Sequence, residues 1–234
     1  ILSENIIREL KEKTFDGLIK LKDLILNDNQ IESIHERSFE QLKNLKYLTL
    51  AQNQLKSLNC IPIHRLVESL ITLKVENTLI DNLDFRDVSN QRINCPKNDK
   101  IGFNLNLKNL HLENPISKIY FGCFNQINEL RLDQNQILKR TEKNGKNRIE
   151  LELVDLLKLR SLYLESMAIG NLNEFHLIAN LSRQISFLSL SKNSIANINS
   201  ISFYGLDGLK LLDLSSNQIK SIENVTLLGL NQLE

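Results

Sequence analysis

The residues of this 234-residue chain best able to do chemistry are four histidines and three cysteines, and their spacing gives them no shared task. His35 is followed by Glu36, but no second histidine stands four residues on, so the helical zinc-protease pair is absent. His35, His64, His111 and His176 lie far apart, and no phosphate-binding loop, GxSxG elbow, CxxC pair or dinucleotide glycine fingerprint occurs. The chain is therefore read as non-enzymatic, with no catalytic residue, no metal site and no cofactor. What remains is a set of polar side chains two residues apart: Lys74 and Glu76, His111 and Glu113, Arg131 and Asp133, Tyr163 and Glu165. Residues two apart share a face of an extended strand, so these pairs could serve recognition through charge and ring contact rather than bond-making.

Global charge does not choose a partner. Lys+Arg 29 against Asp+Glu 28 leaves a formal net charge of +1, which attracts neither nucleic acid nor anionic membrane over the whole molecule. No apolar run approaches the ~20 residues a membrane-spanning helix needs. Local surfaces must carry any specificity.

The elements that would position those pairs follow from a repeat. The segment Leu209 to Ile219, LKLLDLSSNQI, has the frame LxxLxLxxNxI, and related copies begin at Leu21, Leu45, Leu70, Leu107, Ile127, Leu159, Ile185 and Leu233. A partial copy precedes them. Most spacings are near 24 residues, with enlarged copies at Leu70 and Ile127 and a shortened one at Leu107. Within LxxLxL the leucines at positions 4 and 6 alternate with polar residues, the period of a half-buried strand. Every copy follows the same path, so the strands are predicted to align in one parallel sheet with right-handed returns. One copy cannot fold alone. It buries about six apolar side chains at roughly 1.5–3 kcal/mol each, while ordering its backbone costs about 1–2 kcal/mol per residue. Contacts with neighbouring copies must supply the difference.

Asparagine recurs at position 9, as Asn5, Asn29, Asn53, Asn135, Asn193 and Asn217, where the chain leaves the strand. Its amide both donates and accepts, so a ladder of such residues can satisfy turn backbone that would otherwise be buried unpaired. Phe15, Phe39 and Phe203 fall at position 19, each preceded by Thr or Ser and followed three residues later by Leu18, Leu42 or Leu206.

On LKDLILNDNQI, LKYLTLAQNQL, INELRLDQNQI, ISFLSLSKNSI and LKLLDLSSNQI, the chain resembles the leucine-rich repeat proteins over essentially its full length. The phenylalanines resemble the spine of their extracellular 24-residue class. The resemblance implies an α/β horseshoe solenoid with a concave parallel sheet and an irregular or short-helical convex side. A single solenoid over residues 1–234 is expected, with insertions at about 84–106 and 138–158 and both terminal caps lying outside the chain. The second insertion includes KRTEKNGKNR, a basic glycine-containing loop, followed by IELELVDLLKL, which is predicted to form a helix on the return side.

In this frame position 5 reads Ile25, Thr49, Lys74, His111, Arg131, Tyr163, Ser189, Asp213, and position 7 reads Asn27, Ala51, Glu76, Glu113, Asp133, Glu165, Ser191, Ser215. Equivalent positions on strands about 4.8 Å apart form columns. An acidic column, Glu76, Glu113, Asp133 and Glu165, therefore stands beside a basic one of Lys74, His111 and Arg131. Two readings stay open. The columns can be a self-neutralised, solvated ladder whose pairs are worth ~0–1 kcal/mol each. Alternatively, with Tyr163, Tyr47 and Phe187 nearby, Lys74, Glu76, His111, Glu113, Arg131, Asp133, Tyr163 and Glu165 form a ligand-binding band, since both insertions arise from the same copies.

Cys60 follows the strand of one copy and Cys95 lies in the insertion of the next, so a disulfide could tie that insertion to the flank in an oxidising compartment. The alternative leaves both thiols free. Cys123, before Phe124, takes the small-residue position of Thr14, Ser38 and Ser202 and is read as an unpaired buried thiol. Asn180-Leu-Ser and Asn224-Val-Thr are acceptor sequences for N-linked glycans, and both follow a strand, on the flank or convex side.

Mixed repeat lengths, the cysteine before Phe124, these acceptors and SFYGLDGLKLLDLSSNQI together resemble a Toll-like receptor ectodomain. That resemblance implies an extracellular or endosomal-luminal, glycosylated ectodomain of a single-pass membrane receptor of innate immunity. It would bind protein or microbial and endogenous molecules, often as a homodimer around them, with no membrane insertion by these residues. The alternative is a secreted or lipid-anchored adhesion, matrix or synaptic (chaoptin-like) leucine-rich repeat protein, using the same concave face for another protein.

Overall fold

The computed structural model describes residues 1–56, 66, 69–76, 78–80, 82–84, 109–111, 118–120, 127–133, 140–141, 147–148, 156, 158–170, 172, 184–199, 202–222 and 227–234, with strands 82–84, 109–111, 118–120, 140–141 and 147–148 described by their backbone. In chain order the strands of the first half are β1 (Glu9–Leu10), β2 (Asp23–Ile25), β3 (Ser33–Ile34), β4 (Tyr47–Thr49), β5 (Thr72–Lys74), β6 (Asn82–Asp84) and β7 (Asn109–His111). Those of the second half are β8 (Lys118–Tyr120), β9 (Glu129–Arg131), β10 (Arg140–Thr141), β11 (Asn147–Arg148), β12 (Ser161–Tyr163), β13 (Phe187–Ser189) and β14 (Leu211–Asp213).

Eight of these strands form one sheet in the order β14-β13-β12-β9-β7-β5-β4-β2, and every pairing in it is parallel. Each occupies positions 3 to 5 of its repeat, so the sequence frame and the register coincide: Leu24 faces Leu48, Leu48 faces Leu73, and Leu188 faces Leu212. The enlarged and shortened copies rejoin without a slip, since Leu73 pairs Leu110 and Leu110 pairs Leu130. Short parallel pairs, β1 with β3 and β6 with β8, add a second line of backbone bonding on the return side. The fold is the predicted leucine-rich repeat solenoid.

The core is one continuous column. Leu24, Leu26, Leu48, Leu50, Leu73, Val75, Leu130, Leu132, Leu162, Leu164, Leu188 and Leu190 are buried beneath the sheet. Phe15 and Phe39 stack beneath them with ring centroids 6.0 Å apart at 18°. Ser38, just before Phe39, is buried and its hydroxyl donates to the Leu10 carbonyl at 2.8 Å, which explains a small polar residue at that position. Among the described residues the return side is built mainly of turns and the short β1–β3 and β6–β8 pairs, and no helix is long and apolar enough to cross a membrane.

Leaving the strand requires a backbone conformation that leucine frames do not announce. Glu4, Asp28, Gln52, Ser166, Lys192 and Ser216 all stand at position 8, and all have positive φ, between 51° and 57°. None is glycine, so each accepts a cost that an L side chain normally avoids. The bend turns the position-8 amide to the next copy: Asp28 donates to the Ala51 carbonyl at 3.1 Å, Gln52 to Glu76 at 2.8 Å and Lys192 to Ser215 at 3.0 Å. Position 9 then completes the turn. The Asn53 amide nitrogen donates to the carbonyls of Leu26, Leu50 and Ala51 at 3.0–3.1 Å, while its oxygen accepts the Ile31 amide at 3.0 Å. Asn29 and Asn217 repeat this pattern across their own neighbours. Asn5 is exposed and reaches only the carbonyls of Leu2 and Ser3.

Two departures are visible within the ladder. Thr78 takes position 9 in the copy at Leu70 and is buried there. Met167 takes it in the copy at Leu159, and Asn193 of the following copy accepts from both Met167 and Ile169 amides, at 2.9 and 3.1 Å. Asn135, Cys60, Cys123, Asn180, Asn224 and most of both insertions, Cys95 among them, lie outside the described residues, and of the predicted helix over 149–159 only Leu156, Lys158 and Leu159 are described, in turn or irregular backbone. Within the second insertion, β10 and β11 pair antiparallel, Arg140 with Arg148 and Thr141 with Asn147, so the two ends of the basic stretch lie side by side.

Asn53→Ala should destabilise by roughly 2–3 kcal/mol, because it strands buried backbone groups of two copies at once. Asn5→Ala should change stability by less than about 0.5 kcal/mol, as surface substitutions do. Chemical denaturation of both variants measures the contrast, and equal losses would contradict the buried-ladder account.

Candidate functional site

The strand residues that point away from the leucine core line the concave face. Their columns follow from register: Glu129 pairs Ser161 and Ser161 pairs Phe187 at position 3, while Arg131 pairs Tyr163 and Tyr163 pairs Ser189 at position 5. Parallel register therefore brings one side chain from each of three successive copies within reach of its neighbours.

The result is a cation–aromatic stack. The Arg131 guanidinium carbon lies 3.5 Å from the Tyr163 ring centroid. The Tyr163 and Phe187 centroids are 4.7 Å apart with the rings inclined at 37°. Arg131 Nε also donates to Glu129 Oε1 at 3.2 Å, both side chains keeping 30% exposure. Glu129 orients the guanidinium, and the guanidinium covers the ring. Partial burial raises the Tyr163 hydroxyl above its ordinary pKa, with Arg131 opposing and Glu129, Glu165 and Asp133 reinforcing the rise. The phenol is therefore neutral, and a hydrogen-bond donor, at physiological pH.

A polar group adjoins the stack. Ser189 is fully buried, and its hydroxyl lies 3.3 Å from Glu165 Oε1 and 3.4 Å from Asp213 Oδ2. Lys192 Nζ stands 3.5 Å from Glu165 Oε2. Asp213 Oδ1 accepts the Ser215 amide at 2.9 Å, and that bond leads the effects that hold Asp213 below the usual carboxylate range, despite opposing desolvation.

The proposed columns thus separate into different roles. Arg131 pairs with Glu129 of its own strand, and Asp133, only 6% exposed, turns inward so that its Oδ1 accepts the Glu165 amide at 2.7 Å. Asn27 does the same for the Ala51 amide at 3.1 Å, so position 7 acts at these copies as a second backbone cap. Tyr163 and Glu165 join the stack and the polar group. Lys74 and Glu76 lie part-buried on and just after β5, and His111 lies between Lys74 and Arg131 by register. Glu113 lies outside the described residues. Tyr47, 46% exposed, sits on β4, away from Tyr163 along the sheet. Glu129, Ser189, Lys192 and Asp213 were not singled out by sequence. Reading the position-3 column as well as positions 5 and 7 would have found Glu129 beside Arg131.

Among the described residues no group of three or more histidines, cysteines or carboxylates could hold a metal ion. The arrangement offers a face with an aromatic surface, oriented charges and a neutral phenol: the equipment of a binding site.

Known proteins agree on the fold. A leucine rich repeat family model matches residues 1–55 and 183–234. No curated protein matches the sequence. Of solved structures, TLR13 in the TLR13–ssRNA13 complex is similar at TM-score 0.72 with 24% identity, over 99% of this chain and 31% of that one. Toll in the glycosylated Toll–Spatzle complex of Drosophila is similar at TM-score 0.68 with 20% identity, over 97% and 28%. The leucine-rich repeat domain of APL1B is similar at TM-score 0.60 with 17% identity, over 94% and 62%. The chain spans less than a third of the TLR13 and Toll chains, and at these identities the likeness is one of fold.

A double-mutant cycle of Arg131→Ala and Tyr163→Ala should return a coupling of about 0.5–2 kcal/mol, the range for an exposed to partly desolvated cation–π pair. Additive losses in denaturation would show that the contact contributes nothing. The depressed Asp213 pKa stabilises the fold above its ordinary value of 3.8, and this contribution disappears as pH falls through the lower folded value. Asp213→Asn should accordingly lose less stability than the parent between neutral and acid pH, measured by unfolding midpoints across that span.

Proposed function

We propose that this leucine-rich repeat solenoid is part of the ligand-binding ectodomain of a Toll-like receptor of innate immunity, non-enzymatic and located outside the cell or in the endosomal lumen. The observation that carries this reading is the part-exposed Glu129–Arg131–Tyr163–Phe187 assembly. None of these side chains is needed to fill the leucine core, yet they are mutually oriented across three repeats. Such preorganised aromatic and arginine groups reduce the entropy lost on binding and are typical interface anchors.

Two further observations support it. The chain has the fold of TLR13, seen with a single-stranded RNA, and of Toll, seen with Spatzle. The family match also stops at residue 55 and resumes at 183, bracketing the irregular copies in which the stack's first members lie. Irregular copies within a regular array are where solenoids commonly carry partner contacts. The partner would be a protein or a microbial or endogenous molecule, with homodimerisation around it and glycans at Asn180 and Asn224. An adhesion or matrix protein using the same concave face is the rival reading.

The test is a panel of secreted proteins, lipopeptides, polysaccharides and single-stranded nucleic acids screened by biolayer interferometry against the chain. A bound member should weaken about tenfold or more with Arg131→Glu, as at an interface hot spot, and be unchanged with Lys43→Glu, exposed on a return segment outside the sheet. Binding that responds equally to both substitutions, or to neither, would reject the concave face as the site.

A further inference from the structure

A second surface lies apart from the concave-face assembly: the edge of the sheet where each return segment enters its strand. In the copies at Leu21 and Leu45, the two residues before the leading leucine and the one after it supply Lys20 and Lys22, then Lys43 and Lys46, with no carboxylate among them. Lys20, Lys22 and Lys43 are exposed, and Lys46 is half-buried. Backbone bonding fixes the two copies against each other along this edge. The Lys46 amide donates to the Lys22 carbonyl at 2.7 Å, and the Asn44 side chain donates to the Ile19 carbonyl at 2.7 Å. Lysines at equivalent positions therefore start from strands about 4.8 Å apart. Like charges at that spacing repel one another unless an anion joins them.

The surrounding carboxylates are not paired with this row. Asp23 follows Lys22 on β2 and pairs in register with Tyr47 on the concave side, while Asp16 and Glu40 stand earlier, on the return segments. Among the described residues, no carboxylate lies within ion-pair distance of Lys20, Lys22, Lys43 or Lys46, whereas Arg37, Arg131, Lys192 and Lys210 each hold one. Farther along the same edge, Lys158 and Arg160 take the equivalent places before β12. The Arg160 guanidinium donates to the Gln184 carbonyl at 2.8 Å, a neutral partner that leaves its charge in place. At the copy beginning at Leu209 the edge turns neutral: Asp207 joins it, and Lys210 Nζ lies 2.9 Å from Glu234 Oε1. Free positive charge on this edge is thus densest beside β2 and β4.

The shape of the patch narrows the kind of anion. A row running from copy to copy fits a linear polyanion better than a single small anion. Leu18 and Ile19 are exposed beside it, but the equivalent residues of the next copy are the buried Leu42 and the charged Lys43, so no continuous apolar stripe is offered to a bilayer. No aromatic ring stands on the edge itself, since Tyr47 lies on the concave side. All four cations are lysines, hydrated point charges without the planar fork of arginine. The row therefore supplies charge without the stacking platform that holds single-stranded nucleic acid.

We propose that the edge formed by Lys20, Lys22, Lys43 and Lys46 binds a linear anionic glycan, whose sulfate or carboxylate groups lie along the row between lysines of successive copies. This site is separate from the concave face and does not depend on what that face binds.

The test is fluorescence anisotropy of the folded chain with a labelled heparin oligosaccharide, with a labelled oligouridylate of equal charge as the contrasting probe. Combining Lys20→Gln, Lys22→Gln, Lys43→Gln and Lys46→Gln should weaken heparin binding about tenfold or more and flatten its dependence on salt. Removing the same charge from exposed lysines elsewhere, with Lys11→Gln, Lys13→Gln, Lys56→Gln and Lys220→Gln combined, should cost about twofold at most. Circular dichroism verifies folding, and the pair Lys22→Gln and Lys46→Gln replaces the fourfold variant if that one unfolds. Equal losses in the two fourfold variants would reduce the effect to net charge and overturn the site. Loss with Arg131→Glu but not with the edge variant would place the glycan on the concave face instead. Heparin that fails to bind at physiological ionic strength, or oligouridylate that binds more tightly through the same lysines, would reject an anionic glycan as the partner. Ligands of the concave face answer to Arg131→Glu and this glycan to the edge lysines, so either reading can fail without the other.

Discussion

Everything in this molecule depends on how the backbone is satisfied as it leaves each strand. A three-residue strand such as β4 is too short to hold a sheet by itself, and the chain must turn inward immediately afterwards, where water cannot reach its amides. The left-handed residue at position 8 and the asparagine at position 9 solve this together. One redirects an amide to the following copy, and the other returns hydrogen bonds to the preceding copy. A copy with both residues is thereby bonded on both sides through its turn as well as its strand. That continuity lets copies of unequal length share one register, and the register in turn aligns Arg131, Tyr163 and Phe187 on the concave face.

Much of this was legible in sequence because packing and periodicity speak through residue types. Leucine at positions 4 and 6 located every strand of the main sheet, and asparagine at position 9 located the turns. The positive φ at position 8 was not legible, since Glu4, Asp28, Gln52, Ser166, Lys192 and Ser216 share no side-chain chemistry and the constraint acts on backbone alone. Nor could sequence choose Arg131's carboxylate. Glu129 and Asp133 both stand two residues from it, and the choice is made by the bend, which takes position 7 off the flat sheet and toward the next copy's amide. Equivalent use of Asn27 shows that the requirement is for an acceptor, not for charge.

The stack and the polar group occupy a part of the array where regular repeats begin again after an interruption. Copies from Ile185 onward are short and regular, while those at Leu70 and Ile127 carry the insertions. A face built across that boundary combines rigid spacing on one side with repeats of individual shape on the other. Rigid spacing fixes the distance between Glu165 and Asp213, and the individual copy supplies Arg131 and Glu129.

Met167 gives this location a mechanical meaning. A thioether cannot both donate and accept as a ladder amide does, and at the copy beginning at Leu159 it is Asn193 of the following copy that takes the Met167 and Ile169 amides. At the joint with the preceding copy the described side-chain fastenings are on the sheet face: the Asp133 carboxylate on the Glu165 amide, and the Arg131 guanidinium over the Tyr163 ring. The groups proposed to meet a partner are therefore also fastenings between two successive copies, and anything seated on them would tighten that joint.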